Sequence, residues 1–371
     1  MAYIVKRIGQ AYIMWFEASN QWVQFDELQW LIFCFYEKGI AQGTAVAQVA
    51  SRFSMAEEKA KSMVESIYQS LDTLFNPTFY LPNFSLNAEK ASGYVLKDKK
   101  TGFYRHLGKS FSITYGSPQL QRYIHWPLAH LETDTHDRCD LNLEVFPFEK
   151  RYALRVNGPS GECRLADESG QIKRILYLEL TNYLYEKNED GWLSFVHGSA
   201  LAKNDNVLIL TSSEGSGKST MAALLMLRGI TFLSDDYVPI ESDSQRVYAF
   251  PAALSLKNDA IELMKSKGMA IKTFSQGKIG FAKHNPESQK VTHGKVKNIV
   301  FIKYCKEKEL LFEKVSTLDA LALFLNESWV GNDIKRAQQF IDWFSTLNFH
   351  RLEYGNNDKA IEALYSLVEQ P

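Results

Sequence analysis

The stretch 206–236, NVLILTSSEGSGKSTMAALLMLRGITFLSDD, sets a strand, a glycine-rich loop, a helix and a second strand ending in two aspartates side by side. The run 207–210 is continuously apolar, as suits a strand buried in a parallel sheet. Gly217, Lys218 and Ser219 close the loop as a phosphate-binding loop requires, with Ser212 where the usual leading glycine stands. Backbone amides from Ser213, Glu214, Gly215, Ser216 and Gly217 through to Thr220 are then expected to cradle phosphates. Lys218 would reach the β and γ oxygens and Ser219 would hold Mg²⁺. Met221, Leu224 and Leu225 form the inner face of a helix that stops at Gly229.

Asp235 comes seventeen positions after Lys218, enough for one helix and a tight return. The strand 230–234 should therefore run parallel in the same sheet, bringing both loops to one edge, where ligands of such sheets bind. Asp235 and Asp236 then flank the phosphates. One of them can hold the metal, directly or through water, while the other takes a proton from an attacking hydroxyl. Neighbouring strand residues face opposite ways, so either both reach the site where the chain turns or one is structural. Upstream, a turn at Asn204-Asp205 folds 193–201 against the strand as a hairpin and sets His197 opposite Ser212, at the loop's mouth.

Outward from this unit, 11–25 reads as a hairpin with a turn at Ser19-Asn20. Helices follow over 27–38, over 44–52 capped by Thr44, and over 54–74 opened by a Ser54/Glu57 capping box. Hairpin plus three helices suggests a small winged-helix-like module, 1–76, ended by Asn76-Pro77. The region 78–170 is punctuated by turn residues, Gly116-Ser117-Pro118 among them, and reads as mostly β. A helix at 172–185 leads into the loop unit. Later strands are expected at 247–250, 297–304, 310–315 and 349–354, with helices at 318–325, 333–344 and 358–368. The domain limits are thus 1–76 and 77–371, the latter split into a β-rich part, 77–190, and a nucleotide-binding core, 191–371.

Lys plus Arg (42) nearly balance Asp plus Glu (43), so no overall basic field recruits nucleic acid. The helix 54–74 pairs Lys59 and Lys61 with Glu57, Glu58, Glu65 and Asp72, a poor match to DNA phosphates. Cys34, Cys139, Cys163 and Cys305 form no metal-type or disulfide-type spacing, and a reducing cytoplasm fits them. The longest apolar run, 28–36, falls far short of the ~20 residues of a membrane span.

The string FVHGSALAKNDNVLILTSSEGSGKST…RGITFLSDDYVPI, followed by AFPAALSLK ending at Lys257, resembles the catalytic domain of HPr serine kinase/phosphorylase, which is related to the phosphoenolpyruvate carboxykinase core. The overlap is strong over 194–257 and weaker from 103 to 354. The resemblance implies an α/β fold: an HPr-kinase-like P-loop catalytic domain with a β-rich N-terminal part. It implies ATP and Mg²⁺ as cofactors. Lys218, Asp235, Asp236 and His197 would be the catalytic residues, with Ser219 and Asp235 at the metal. Lys257 is either a substrate or phosphate contact or a solvated surface lysine. The HPr enzymes are hexamers, which implies a homo-oligomer. The ExRGLG segment of the bifunctional enzymes is absent, so the resemblance does not extend to HPr as substrate. The first 76 residues resemble, in pattern, the PqqD-type modules that bind leader peptides by strand addition.

These features predict a cytoplasmic ATP- and Mg²⁺-dependent kinase for a hydroxyl, a serine of a peptide or protein recruited by 1–76, with no nucleic-acid or membrane partner. The competing reading is a nucleotide-binding sensor or scaffold without phosphotransfer. A polar loop with Gly277-Lys278 and Lys283-His284 could cover the acceptor.

Overall fold

The computed structural model describes residues 2–77, 84–134, 139–158, 161–274, 278–282 and 291–369. Gly277, Lys283 and His284 of the expected covering loop lie outside them. The chain folds as two compact units, 1–81 with 330–346, and 82–329 with 347–371.

The first unit opens with an antiparallel meander, β1 (Tyr3–Ile8), β2 (Ala11–Phe16) and β3 (Gln21–Phe25), in that order. The strand β1 carries no clear sequence signal, because Lys6 and Arg7 break its alternation. The central β2 reads AYIMWF because it is covered on both sides. Met14 and Phe16 pack with Phe33, Leu71 and Leu74 of the helices, and on the same sheet Trp22 meets Phe340 of a later helix, Ile334–Phe344. Lys6 pairs with Asp342 of that helix at 2.6 Å.

Helices α1 (Glu27–Glu37), α2 (Gln42–Arg52) and α3 (Glu57–Phe75) follow. The capping box is at Asp26 and Gln29, opening α1, not at Ser54 and Glu57. Ser54 is already used: its φ of 49° and the Met55 amide bonded to Ala50 O make it the left-handed residue that terminates α2. Thr44 likewise lies inside the first turn of α2, whose N-cap is Ala41.

In the second unit, α4 (Phe84–Ser92) precedes a five-stranded sheet of β4 (Lys100–His106), β5 (Lys109–Tyr115), β6 (Leu141–Phe148), β7 (Arg151–Val156) and β8 (Cys163–Ala166), paired in chain order. The region is less purely β than expected. Ser117 caps and Pro118 begins the helix α5 (Pro118–Leu128), with the Leu120 amide donating to Ser117 Oγ at 3.2 Å. Helix α6 (Ser169–Tyr185) buries Ile172, Leu176, Leu180 and Leu184 against Phe111, Ile113 and Val145 of that sheet.

The larger sheet carries the site. It contains β9 (Trp192–Val196), β10 (Gly198–Lys203), β11 (Asn206–Thr211), β12 (Thr231–Asp235), β13 (Val238–Glu241) and β14 (Arg246–Tyr248). After a small sheet of β15 (Ser255–Lys257), β16 (Ile271–Phe274) and β17 (Ile279–Ala282), with α8 (Asp259–Ser266) between, come β18 (His293–Tyr304) and β19 (Leu310–Lys314). The order is β12-β10-β11-β18, where the sheet forks: one branch runs through the strand Asn348–Tyr354 to β19, the other through β14 and β13 to β9. Helix α7 (Lys218–Leu227) lies between β11 and β12 in sequence, and α9 (Thr317–Asn326) follows β19.

Strand β11 is parallel to β18, which is parallel to Asn348–Tyr354, while β10 is antiparallel to both β11 and β12. So β12 runs with β11, as the short crossover requires, but β10 lies between them. The carboxyl ends of β11, β12, β18 and Asn348–Tyr354 thereby meet at one edge, together with the start of β10. Beneath them Leu208 and Leu210 pack with Met221, Leu224 and Leu225 of α7 and with Val300, Ile302 and Leu352. Burial of this kind is worth about 1.5–3 kcal/mol per large side chain, which stabilises the frame holding the loop. Among the described residues no helix is long and apolar enough to cross a membrane.

Candidate functional site: a loop, two aspartates and a clamped histidine

The loop 212–217 connects β11 to α7 across the edge. Gly215 and Gly217 take left-handed φ of 81° and 97°. At Gly217 a Cβ would also stand 2.9 Å from Tyr354 Oη, so no other residue fits there without displacing the tyrosine. Gly217 offers no side chain to cap α7, which leaves the first amides of that helix to face the loop's interior. Ser216 Oγ is buried and bonds to no other group among the described residues. Lys218 is 5% exposed, and its Nζ donates to the carbonyls of Ser212 (2.6 Å) and Ser213 (3.0 Å). Burial lowers its pKa, and the charges of Glu327, Asp236, Asp235 and Glu214 oppose that. At the loop's tip Glu214 pairs with Lys257 at 2.6 Å, both side chains exposed, so Lys257 borders the loop through a carboxylate.

Asp235, opposite Ser199 in the β10–β12 ladder, is 2% exposed. Ser199 Oγ (2.6 Å) and Ser219 Oγ (3.1 Å) both donate to its Oδ1, and the Ser255 amide donates to Oδ2 at 3.2 Å. Burial pushes its pKa up to about 7, the neighbouring Asp236 charge adds to the rise, and the three hydrogen bonds pull against it. β12 ends here. Asp236 has a φ of 63°, and this left-handed turn brings the second carboxylate round to the same side, half exposed. Two adjacent residues thus reach one site because the strand stops between them.

His197 occupies the gap between β9 and β10. The ladder pairs Gly198 with Thr211, the register a turn at Asn204-Asp205 demands, and ends one residue short of His197 and Ser212. Gly198 is required by contact: a Cβ there would lie 2.6 Å from Leu210 O. The His197 amide instead donates to Glu327 O at 2.7 Å, and its carbonyl accepts from Thr211 Oγ1 at 2.9 Å. In the ring, Nδ1 lies 2.9 Å from Glu327 Oε2 and Nε2 lies 3.7 Å from Asp236 Oδ1.

Three site residues carry no sequence signal. Glu327 follows α9, 130 positions from the histidine it holds. Ser199 looks like any small strand residue. Lys173 belongs to the regular period of α6, yet its ammonium lies over the rings of Tyr123 (4.6 Å) and Tyr177 (5.2 Å). Burial lowers its pKa, and the charges of Asp236 and Asp235 act against that. Among the described residues no three His, Cys, Asp or Glu side chains converge as a ready-made metal cage. Ser219 Oγ and Asp235 Oδ1 do supply two adjacent hard oxygens, a donor set that suits Mg²⁺ when phosphate oxygens complete the shell.

No protein-family model matches this chain, and neither does any curated protein. Among solved structures, the Hpr(Ser) kinase/phosphatase from Coxiella burnetii is similar, at 12% identity and a TM-score of 0.25, over 47% of this chain and 87% of that one.

Proposed function

We propose that the protein is an ATP- and Mg²⁺-dependent phosphotransferase that moves the γ-phosphate to a hydroxyl. The observation that carries this reading is the hydrogen bond from Ser219 Oγ to Asp235 Oδ1 at 3.1 Å, beside an uncapped helix start and a buried lysine. That is the arrangement a metal–phosphate group needs. Bound magnesium would neutralise charge on the phosphates, held by Ser219 and Asp235.

The chain's own groups divide the remaining work. Amides of 213–217 and the first turn of α7, through Thr220, bind phosphate oxygens, and Lys218 supplies a fixed positive charge among them. Ser216 Oγ adds an unused donor. Asp236, the more exposed carboxylate, accepts the proton of the incoming hydroxyl, and His197, clamped by Glu327, stands next to it. Lys173, whose ammonium feels the charges of Asp236 and Asp235, lends a second cation nearby, and Lys257 borders the loop. The acceptor is a serine of a peptide or protein, recruited by strand addition to the 1–76 module, and the active form is a homo-oligomer in the cytoplasm.

ADP formation with and without serine-containing peptides tests the assignment. Peptide-dependent ADP and a phosphopeptide are expected. Stoichiometric ATP binding with no ADP would replace it by the second reading, a nucleotide-binding sensor, which the engagement of Lys218 by two loop carbonyls favours.

A further inference from the structure

The strand order gives the phosphate site a direction. Ser219, Asp235 and Asp236 lie on the β10–β12 flank of β11, so the terminal phosphate and its metal belong there. A nucleotide is a linear ligand, and its nucleoside must then extend to the other flank, over the ends of β18 and Asn348–Tyr354. Those ends are fastened to the loop. The Tyr304 amide donates to Ser216 O at 2.9 Å, and Tyr354 Oη is the atom that Gly217 makes room for.

Tyr304 is 49% exposed, and its ring rests edge-on against Tyr354 with centroids 5.6 Å apart. Two residues further, the turns after both strands and the end of α8 border an open groove of about 570 Å³, lined by Leu263, Lys267, Lys306, Lys308, Asn356 and Asp358 among others. The turns are tied together by the Cys305 amide on Tyr354 O (2.8 Å) and the Asn356 amide on Glu309 O (3.3 Å). Its polar wall offers hydrogen-bonding groups to the hydroxyls of a ribose, and the exposed Tyr304 ring offers a flat face to a base.

We infer that Tyr304 and the groove between the turns 305–309 and 355–358 form the nucleoside subsite, with the base stacked on the exposed Tyr304 ring. This rests on the phosphate-loop reading above. The test compares ATP with tripolyphosphate, which has the phosphates and no nucleoside, in titration calorimetry on the full chain. Tyr304→Ala should weaken ATP binding by about 5- to 150-fold, the usual scale for one base–aromatic stack, and leave tripolyphosphate unchanged. Tyr304→Phe, which keeps the ring, should retain ATP affinity. Equal loss of both ligands in Tyr304→Ala, or loss of neither, overturns the subsite while leaving the loop intact. If the wild-type chain binds no tripolyphosphate, or Lys218→Ala leaves that binding unaltered, the phosphate-loop reading itself fails and the subsite falls with it.

Discussion

Glu327 holds His197 at two points: its carbonyl accepts the His197 amide at 2.7 Å, and its Oε2 lies 2.9 Å from the ring's Nδ1. The ring is thereby fixed with Nε2 toward Asp236. Glu327→Ala should remove the ring contact while sparing the backbone bond. We expect turnover to fall by about 10-fold or more, a common cost of losing a carboxylate that orients a histidine, with ATP affinity retained. Turnover measured beside ATP Kd checks this; a parallel loss of affinity would assign Glu327 to the loop's support instead.

Lys218 is the buried charge in the phosphate loop. Lys218→Ala should lower phosphate transfer by at least about 100-fold, in line with removal of one preorganised charge-stabilising donor. Thermal unfolding should change little in comparison, because among the described residues the hydrogen bonds of its ammonium go to two carbonyls of its own loop. A variant that keeps transfer within a fewfold of wild type would sink the phosphotransferase assignment.

The parts of this site legible in the sequence are those whose signal is local. The strand 207–210, the loop, the inner face of Met221, Leu224 and Leu225, and the short run to Asp235 all sit within one crossover, and the turn at Asn204-Asp205 fixes the register of Gly198 on Thr211. Glu327 could not be read, since only the packing of α9 after β19 brings it to His197. Lys173 is masked by the helical period around it. The Ser54/Glu57 pattern misleads for a related reason: a capping signature is worth about 1 kcal/mol, and the preceding helix claims Ser54 for its own end. The helix Ile334–Phe344 reads correctly as a helix, but nothing local tells that it packs on β1 and β3 in the first unit.

Asp236 and Asp235 are adjacent in sequence and differ in burial. Asp236→Asn keeps the shape at the left-handed turn, where asparagine is well tolerated, and removes the proton acceptor. Loss of a general base typically costs about 10²–10⁴-fold, so turnover should fall on that scale with ATP Kd within a fewfold of wild type. Unchanged turnover would shift the base role to Asp235.

Asp235 makes a prediction of opposite sign to the usual surface carboxylate. Its folded pKa of about 7 lies above that of an exposed aspartate, about 3.9, so the protonated form favours folding. The contribution is complete below the unfolded value and lost as the pH rises through the folded one. Asp235→Asn cannot ionise. Its Oδ1 can still accept from Ser199 and Ser219, but its amide would face the Ser255 amide, donor against donor, at a cost that does not vary with pH. Melting temperatures without metal or nucleotide should therefore shift in the variant's favour between about pH 5 and about pH 8, whatever the baseline difference. A difference that stays flat over that range would mean that Asp235 ionises as easily in the folded chain as in the unfolded one.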